Sequence, residues 1–431
     1  MASADRLIEL LHEAKARPAG AERARFLAEA CRDDSALKEQ IVSLLEVDAD
    51  EGESDFLKIT RIIRPAILPT EKPGDRIGRY NLLEQIGEGG CGVVYMAGQE
   101  EPVRRRVALK VIKLGMDTRQ VIARFEAERQ ALAMMDHPNI AKVLDGGATD
   151  TGRPFFVMEL VRGIKITDYC DQNNLSTNER IGLFIQVCHA IQHAHQKGII
   201  HRDIKPSNIL VTQHDHVAVP KVIDFGIVKA TTGTLSDKTV FTAFAQFIGT
   251  PAYMSPEQAQ MSGLDVDTRA DIYSLGVLLY ELLTGHTPFD AKELLAAGMD
   301  EMRRKIREEE PAKPSTCLSP MQAKDLTAVA QRRHVEPPKL IHLIHLIRGD
   351  LDWLVMKCLE KDRTRRYETA SGLAADIQRH LSNEPVTARA PSTGYRFHKF
   401  VRRNKLAFAA ASAVAAALVI GLGSSGAVTS L

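Results

Sequence analysis

Chemically reactive side chains are concentrated in one short stretch of the chain. Residues 201–208 have the sequence HRDIKPSN, which holds a carboxylate at Asp203, a cation at Lys205 and an amide at Asn208. A second carboxylate, Asp224, ends a predicted apolar strand and precedes the dipeptide FG. A carboxylate can orient a hydroxyl group, a cation can neutralise phosphate charge, and carboxylate and amide oxygens suit Mg²⁺. These residue types therefore indicate phosphoryl transfer.

The two motifs resemble the catalytic loop and the DFG motif of the protein kinase family, in particular the eukaryotic-like (Hanks-type) serine/threonine kinases of bacteria. The resemblance covers residues 78–380. It implies that Asp203 accepts or orients the hydroxyl proton, that Lys205 stabilises the γ-phosphate, and that Asn208 and Asp224 hold Mg²⁺. A lysine at position 205 is typical of serine/threonine kinases, so the resemblance implies ATP as donor and protein Ser or Thr as acceptor.

A glycine-rich loop, GEGGCGVV at residues 87–94, lies between two apolar runs. Glycine lets the backbone approach phosphates because it has no Cβ. Dinucleotide-binding folds use the same spacing before a helix, but here the run VVYMA at residues 93–97 predicts a strand. We therefore favour a hairpin over a dinucleotide fold. The resemblance implies nucleotide contacts from residues of this hairpin and of the next strand: Ile86, Gly87, Glu88, Gly89, Gly90, Cys91, Gly92, Val94 and Ala108.

A lysine lies inside the next predicted strand, residues 107–112. Burial of the Lys110 ammonium is costly unless it is paired. The resemblance implies that Lys110 holds the α- and β-phosphates and pairs with a glutamate on the following helix, predicted over residues 118–135. Glu128 is the candidate; Glu126 is the alternative, but it lies two residues away and so on a different face of the helix.

The run FFVMELVRG at residues 155–163 resembles the strand and hinge that join the two kinase lobes. By this resemblance Met158 is the gatekeeper beside the adenine pocket. Backbone groups of Glu159 and Val161 are then expected to bind the adenine.

Residues 225–256 resemble an activation segment and are rich in Thr and Ser. The resemblance implies that Thr250 bonds the catalytic Asp and Lys side chains. Arg202 is a cation that a phosphate could pair with, and we hypothesise autophosphorylation at Thr242, with Thr239 second. Ser-Pro-Glu replaces the commoner Ala-Pro-Glu at residues 255–257, a change we interpret as neutral.

Other side chains have structural interpretations. By the resemblance, Asp271 braces the backbone of the catalytic loop, and Glu257 and Arg366 form a buried ion pair. Trp353 is assigned to the core. Three histidines on the predicted helix at residues 180–196 lack partners at metal-ligand spacing and are interpreted as helix-surface residues rather than a metal site: His189, His193 and His195.

Composition excludes some classes of function. The chain has 431 residues and a net charge of +1, which gives no reason to propose a nucleic-acid partner. Its six cysteines are scattered without a CxxC pair, which argues against a zinc site or a disulfide framework. A redox role for Cys91 would require a lowered pKa, so we interpret it as a small residue that fills its place.

The predicted fold class is α+β, a two-lobed protein kinase fold at residues 78–380. The small lobe is mostly β (80–160), and the larger lobe is helical (161–380), with an elaboration at 308–348. We predict a helical extension at 1–47 and a linker at 48–77 before it, and a basic juxtamembrane linker at 381–405 after it.

Residues 406–423 form a largely apolar, uncharged run that predicts one transmembrane helix, with a short tail at 424–431. The basic cluster before it places the kinase domain on the cytoplasmic side of the inner (cytoplasmic) membrane. A soluble alanine-rich helix is the alternative.

The sequence thus predicts a membrane-tethered serine/threonine kinase that acts on protein substrates and self-associates for trans-autophosphorylation. The alternative from another class is a membrane-tethered pseudokinase scaffold. Such proteins usually lack the equivalents of Lys110, Asp203 or Asp224, and all three are present here.

Overall fold

A computed structural model describes most of the predicted kinase region. The residues described are 13–14, 17, 21–31, 71–89, 92–112, 134–215, 217–225, 251–260, 266–318, 337–390, 392–404, 408 and 414. The chain divides into two compact units. The first comprises Met1–Ile122, Gly146–Val157 and Leu235–Gly249, and the second Ala123–Asp145, Met158–Thr234 and Thr250–Leu431.

The larger sheet lies mainly in the first unit and has six strands: β1 (Arg76–Ile77), β2 (Tyr80–Gly89), β3 (Gly92–Gln99), β4 (Arg105–Ile112), β5 (Val143–Ala148) and β6 (Pro154–Glu159). Their order is β1-β2-β3-β4-β6-β5. β2 and β3 pair antiparallel, with Gly89 opposite Gly92. The glycine-rich loop is therefore followed by a strand, as predicted, and the dinucleotide-binding alternative is excluded because that fold needs a helix there.

The end of the predicted linker is part of this unit. β1 lies within it, and the Tyr95 hydroxyl donates a hydrogen bond to the Glu71 carbonyl at 2.8 Å. The Glu71 carboxylate pairs with Arg153, whose side chain is 1% exposed. A buried guanidinium requires such a partner, so residue 71 is fixed against the sheet. The first unit also contains helix α1 (Ala21–Ala30), within the predicted N-terminal extension.

The second unit contains a three-stranded sheet of β7 (Ile164–Lys165), β8 (Ile209–His214) and β9 (Val217–Val222). Its described helices are α2 (Ile166–Gln172), α3 (Thr177–Gln196), α4 (Pro256–Ala259), α5 (Thr268–Thr284), α6 (Ala291–Ala296), α7 (Met299–Glu308), α8 (Pro314–Leu318), α9 (Pro337–Ile347), α10 (Asp350–Cys358), α11 (Ala370–Leu381) and α12 (Thr393–Arg403).

The central helices have clear local signals. α3 begins with a capping box, in which the Ser176 hydroxyl accepts from the Glu179 N–H and the Glu179 carboxylate accepts from the Ser176 N–H. α5 is capped by Asp267 and ends at Gly285, which adopts φ 80°. α5 is apolar on nearly all sides because it packs against α3, α10 and other helices of the unit.

Two predictions differ from the structure. Trp353 is 44% exposed, with the Lys313 ammonium 5.5 Å from its ring centroid, and so does not belong to the core. The helical period explains this, because α10 turns Leu351, Leu354 and other apolar residues inward and position 353 outward. The predicted linker at 381–405 contains helix α12, which is packed on the helical unit through Tyr395 and Lys399.

Other predicted segments lie mostly outside the described residues, including the helix at 118–135 and most of the segments at 1–47 and 406–423. Within the parts that are described, no helix has the length and apolar character needed to cross a membrane. The elaboration at 308–348 includes α8 and α9, which buries Leu343 and Ile347.

A buried ion pair joins α4 to Arg366, which lies in the segment between α10 and α11. Arg366 donates to both carboxylate oxygens of Glu257, at 2.7 and 2.9 Å, and its side chain is 0% exposed. The guanidinium also donates to three backbone carbonyls, those of Arg269, Glu360 and Lys361. The predicted Glu257–Arg366 pair is therefore confirmed, and its geometry satisfies the buried cation.

We predict that Glu257→Gln lowers the free energy of unfolding by about 3–5 kcal/mol, because it leaves the Arg366 charge buried without its counter-ion. Urea unfolding of the full chain measures this as a lower midpoint. Glu301→Gln is the control, because it removes the partner of Arg304 from a solvent-exposed pair on α7, where little change is expected. Equal losses in both variants would contradict the assignment.

Candidate active site

Three catalytic-loop side chains are in direct contact. The Lys205 ammonium lies 2.9 Å from a carboxylate oxygen of Asp203. The Asn208 amide nitrogen donates to the same oxygen at 3.0 Å and to the Asp203 carbonyl at 2.8 Å. The loop ends in a short 3₁₀ turn, Pro206–Asn208, in which proline suits the first position because its missing N–H is not needed there. The carboxylate is thus oriented by a cation and an amide.

Asp224 is joined to this loop through its neighbours. The Ile223 N–H donates to the Asn208 carbonyl at 2.9 Å. The His201 ring lies 4.6 Å from the Phe225 ring, centroid to centroid, and its Nε2 is 3.3 Å from the Ile223 carbonyl. Asp224 itself has φ 58°, a region that few non-glycine residues adopt. The structure therefore holds the second carboxylate in a defined backbone conformation beside the loop.

Asp271 braces the backbone of the loop, as predicted. Its carboxylate accepts from the N–H groups of His201 and Arg202, each at 2.8 Å, and contacts His195 Nε2 at 2.7 Å. Asp271 is fully buried, which by itself would raise its pKa, but the hydrogen bond and charge of His195 lower the pKa below its usual value. Arg202 adopts φ 62° in this arrangement.

The histidines divide into two kinds. His189 is exposed, in agreement with the prediction of helix-surface residues. The prediction is wrong for His195, whose side chain is 5% exposed and bonded to Asp271. His201 is also buried, and burial lowers the pKa of its imidazole, so the ring is neutral near pH 7. Its Nδ1 then accepts from the Asp203 N–H at 3.3 Å.

Gln258 connects α4 to the catalytic loop, a role that sequence reasoning missed. Its side-chain nitrogen donates to the Arg202 carbonyl at 3.0 Å, and its side-chain oxygen accepts from the Ser255 N–H at 3.0 Å. The buried Ser255 hydroxyl accepts from the Gln258 N–H in return, which completes a capping box. The serine that replaces the commoner alanine is therefore not neutral. The spacing Ser-x-x-Gln is the sequence signal that could have revealed the capping box.

The strand register brings nucleotide-site candidates together in the first unit. Gly87 is opposite Val94 on β3, and Val94 is opposite Lys110 on β4. Directly opposed residues point to the same face of a sheet, and Ala108 shares that face because it is two residues from Lys110. Lys110 lies in the buried part of β4, and the residue is itself only 7% exposed. Near the hairpin end, Ile86 is 46% exposed and Glu88 and Gly89 are also exposed.

The glycines of this hairpin serve different purposes. A Cβ added at Gly92 would lie 2.4 Å from the Val111 carbonyl oxygen, so β4 itself requires glycine there. A Cβ at Gly89 would meet nothing within 4 Å, and one at Gly87 would make only an ordinary contact with Val94. Packing therefore explains Gly92, whereas Gly87 and Gly89 leave space above the sheet for a ligand.

The predicted hinge residues lie at the end of β6. Met158 and Val161 are half-buried. The Glu159 N–H donates to the Lys142 carbonyl at 2.8 Å, and its carboxylate forms a salt bridge with Lys221 of β9 at 2.8 Å. The ion pair was not predicted from the sequence; both of its residues belong to the second unit, where it joins Glu159 to the small sheet.

Four predicted site residues lie outside the described part of the chain: Glu128, Gly90, Cys91 and Thr250. The same holds for Thr239 and Thr242. Their predicted roles stay predictions.

The donor set near Asp203 suits a hard cation. In the described residues no group of three or more His, Cys, Asp and Glu side chains forms a metal cluster. However, the Asn208 amide nitrogen is engaged with Asp203, which leaves its oxygen, with only the Ser207 hydroxyl at 3.5 Å, as an available ligand. One amide oxygen and the Asp224 carboxylate fit a magnesium ion that takes its other ligands from phosphate and water.

Comparison with known proteins agrees with this geometry. Residues 80–380 match the family described as "Protein kinase domain". The chain therefore belongs to the protein kinase family, and the predicted resemblance is confirmed.

Among its relatives are bacterial enzymes named serine/threonine-protein kinases. PknB of Mycobacterium leprae is 35% identical over 72% of this chain and 44% of its own length. PrkC of Bacillus subtilis is 36% identical over 71% of this chain and 41% of its own length. The chain thus spans less than half the length of these relatives. The crystal structure of the Mycobacterium tuberculosis PknI kinase domain is similar in fold, with a TM-score of 0.50 and 23% identity over 72% of this chain and 99% of that domain.

We predict that Gly92→Ala lowers the free energy of unfolding, by about 1–3 kcal/mol, because the new methyl overlaps the β4 backbone. Gly89→Ala is the matched control and is expected to leave the unfolding midpoint nearly unchanged. Thermal or urea unfolding of the two full-length variants tests this. A Gly89→Ala variant as unstable as Gly92→Ala would show that the close approach to β4 is not the cause.

Proposed function

We propose that the chain transfers the γ-phosphate of ATP to Ser and Thr hydroxyls of proteins, with Mg²⁺ held by Asn208 and Asp224. The observation that carries this proposal is the contact set of the catalytic loop, in which Lys205 and Asn208 both bond the Asp203 carboxylate. Asp203 would orient the acceptor hydroxyl, and Lys205 would stabilise charge on the transferred phosphate. The names of the bacterial relatives support Ser and Thr as acceptors.

The nucleotide is assigned to the face of the first-unit sheet that carries Val94, Ala108 and Lys110. On this proposal Lys110 holds the α- and β-phosphates, and Glu159 and Val161 contribute backbone groups to the adenine. The pairing of Gly87, Val94 and Lys110 across three strands supports the assignment, because it presents glycine backbone and a cation on one surface.

We further propose that the enzyme self-associates and phosphorylates itself in trans at Thr242, and secondarily at Thr239. This autophosphorylation would activate the enzyme. Among the residues that the structure describes, the buried Nε of Arg202 has no hydrogen-bond partner. A phosphate near Arg202 would supply that partner and order the activation segment. Residues 406–423 are proposed to anchor the chain in the inner (cytoplasmic) membrane with the kinase domain cytoplasmic, because their apolar length follows a basic cluster.

We predict that Lys110→Met and Asp203→Asn each reduce label transfer from [γ-³²P]ATP by about 100-fold or more, because each removes a charge that acts in the reaction. Phosphoamino-acid analysis of the native product is expected to show phosphothreonine or phosphoserine. Lys292→Met and Asp300→Asn are matched controls on exposed positions. ATP binding without any transfer by the native full-length chain in detergent would favour the pseudokinase scaffold instead.

Gln258→Glu is expected to lower the rate of transfer several-fold, up to about tenfold, with little change in melting temperature. The carboxylate can still accept from the Ser255 N–H, but it has no proton to donate to the Arg202 carbonyl, and one such bond is worth about 0.5–1.5 kcal/mol. The exposed Gln260→Glu serves as control. Unchanged activity would show that this bond does not position the loop.

Mass spectrometry of the purified full-length chain is expected to find phosphate on Thr242 or Thr239. The Asp203→Asn variant should lack it, because the proposed modification is made by the enzyme itself. Persistence of the same phosphosites in that variant would show that another kinase makes them. An Arg202→Gln variant should be phosphorylated but less active, since the phosphate would lose its partner.

A further inference from the structure

The last described helix, α12, is fixed to the helical unit by buried polar contacts. The Lys399 ammonium lies 2.5 Å from an Asp350 carboxylate oxygen, and the Tyr395 hydroxyl donates to the other oxygen at 2.9 Å. His380 Nδ1 lies 3.1 Å from the same carboxylate. The Lys399 side chain is only 7% exposed, so this face of α12 is directed into the protein.

The segment that leads to α12 is also fixed. The Asp376 carboxylate of α11 is completely buried and accepts from the N–H groups of Thr387 and Ala388, at 2.6 and 2.9 Å. The Val386 N–H donates to the Tyr395 hydroxyl at 3.1 Å. Together these bonds fix both the segment that precedes α12 and the buried face of α12. The helix therefore has one orientation about its own axis relative to α10 and α11.

The opposite face of α12 carries exposed aromatic rings. Phe397 is 62% exposed and Phe400 is 50% exposed. At about 100° per residue, these two positions lie on the side of the helix away from Tyr395 and Lys399. The Phe408 ring stands edge-on to both, with centroids 6.2 and 5.7 Å away, and its N–H bonds the Asn404 carbonyl. The phenyl groups form one patch, which we call the phenylalanine face: Phe397, Phe400 and Phe408.

Exposed arginines lie on α12 near the phenylalanine face: at about 100° per residue, Arg396 and Arg403 flank one side of it, whereas Arg402 lies further round the helix. Arg396, Arg402 and Arg403 are all exposed. The last acidic residue of the sequence is Glu384, so residues 385–431 contain six Lys and Arg and no Asp or Glu. Of the exposed arginines, Arg403 has a contact with Glu384 at 3.4 Å, in which both side chains are about half exposed. An exposed aromatic stripe with basic flanks is typical of helices that lie in a membrane interface.

We propose that the phenylalanine face of α12 binds the surface of an anionic lipid bilayer, with the phenyl rings at the boundary between headgroups and acyl chains and the arginines at the lipid phosphates. Charge complementarity selects this occupant, because anionic headgroups supply the counter-charge that the helix lacks. A second copy of the same face would bring Arg396 and Arg403 against identical cations, which is unfavourable. Since α12 is locked to Asp350, the bilayer would also set the orientation of the helical unit. The proposal goes beyond phosphoryl transfer and does not require residues 406–423 to cross the membrane.

The test places a tryptophan on this face in the full-length chain. Trp353 is the sole native tryptophan, so the background carries Trp353→Phe, and the probe variant is Phe400→Trp. Val217→Trp is the matched control variant, because Val217 is similarly exposed, at 61%, on the β8–β9 hairpin of the same unit. Each protein is reconstituted in vesicles of phosphatidylcholine alone or mixed with phosphatidylglycerol, with or without brominated acyl chains. Binding is followed by flotation.

We expect brominated lipid to reduce the tryptophan fluorescence of the probe variant at least twofold in the anionic vesicles and that of the control variant hardly at all. Arg396→Gln combined with Arg403→Gln should weaken the quenching of the probe in anionic vesicles with little change in melting temperature, because both side chains are exposed and the pair of Arg403 with Glu384 is solvent-exposed.

If the probe variant floats with the vesicles but is not quenched, the phenylalanine face does not bind the bilayer and the proposal is overturned, although a transmembrane span would still agree with that result. If the probe variant does not float, both the proposal and the transmembrane span are contradicted. A dimer that is abolished by Phe397→Asp, with the probe unquenched, would assign the face to a second copy instead. Transfer of ³²P by the same samples reports separately on the kinase proposal.

Discussion

The active site depends on one buried carboxylate. Asp271 has 0% exposure and accepts bonds from the backbone at His201 and Arg202 and from the His195 ring. An ionised carboxylate is stable at this depth only while its donors remain in place. The donors are therefore constrained along with it, and this compensates for the unfavourable left-handed conformation of Arg202. Because Asp203 is the next residue, the constraint passes directly to the proposed catalytic carboxylate.

Two contacts made by α4 fix the segment that follows residue 250. Glu257 is bound on one side by the buried Arg366, and Gln258 is bound on the other by the Arg202 carbonyl. Glu257 and Gln258 are adjacent in this one-turn helix, and each binds a residue that is distant in the sequence. A short helix has little stability of its own, so these contacts, together with the Ser255 cap, determine where α4 lies. The end of the activation segment is therefore positioned from the helical unit itself.

The sequence predicted best what depends on short spacing. Asp203, Lys205 and Asn208 lie within six residues of one another, and the apolar run that follows the glycine-rich loop was enough to predict the β2–β3 hairpin. His195 was missed because its partner is 76 residues away, and Gln258 because its partner is 56 residues away. No local pattern encodes such contacts; the long-range contacts of Asp271 and of Glu257 with Arg366 were predicted only because the family resemblance implied them. Trp353 was misassigned because residue type suggests burial, whereas the phase of α10 decides which way position 353 points.

The α12 segment shows how a buried ion pair changes the interpretation of a charged sequence. Prolines and a cluster of cations in residues 381–405 favour a solvated linker, and Arg396, Arg402 and Arg403 are indeed exposed. Lys399 is the exception, since its ammonium pairs with Asp350 inside the protein. An apolar contact would tolerate rotation of α12, but an ion pair reinforced by the Tyr395 hydroxyl is directional. We infer that the pair fixes which face of α12 points outward, and so makes the exposed phenylalanines a surface of defined orientation.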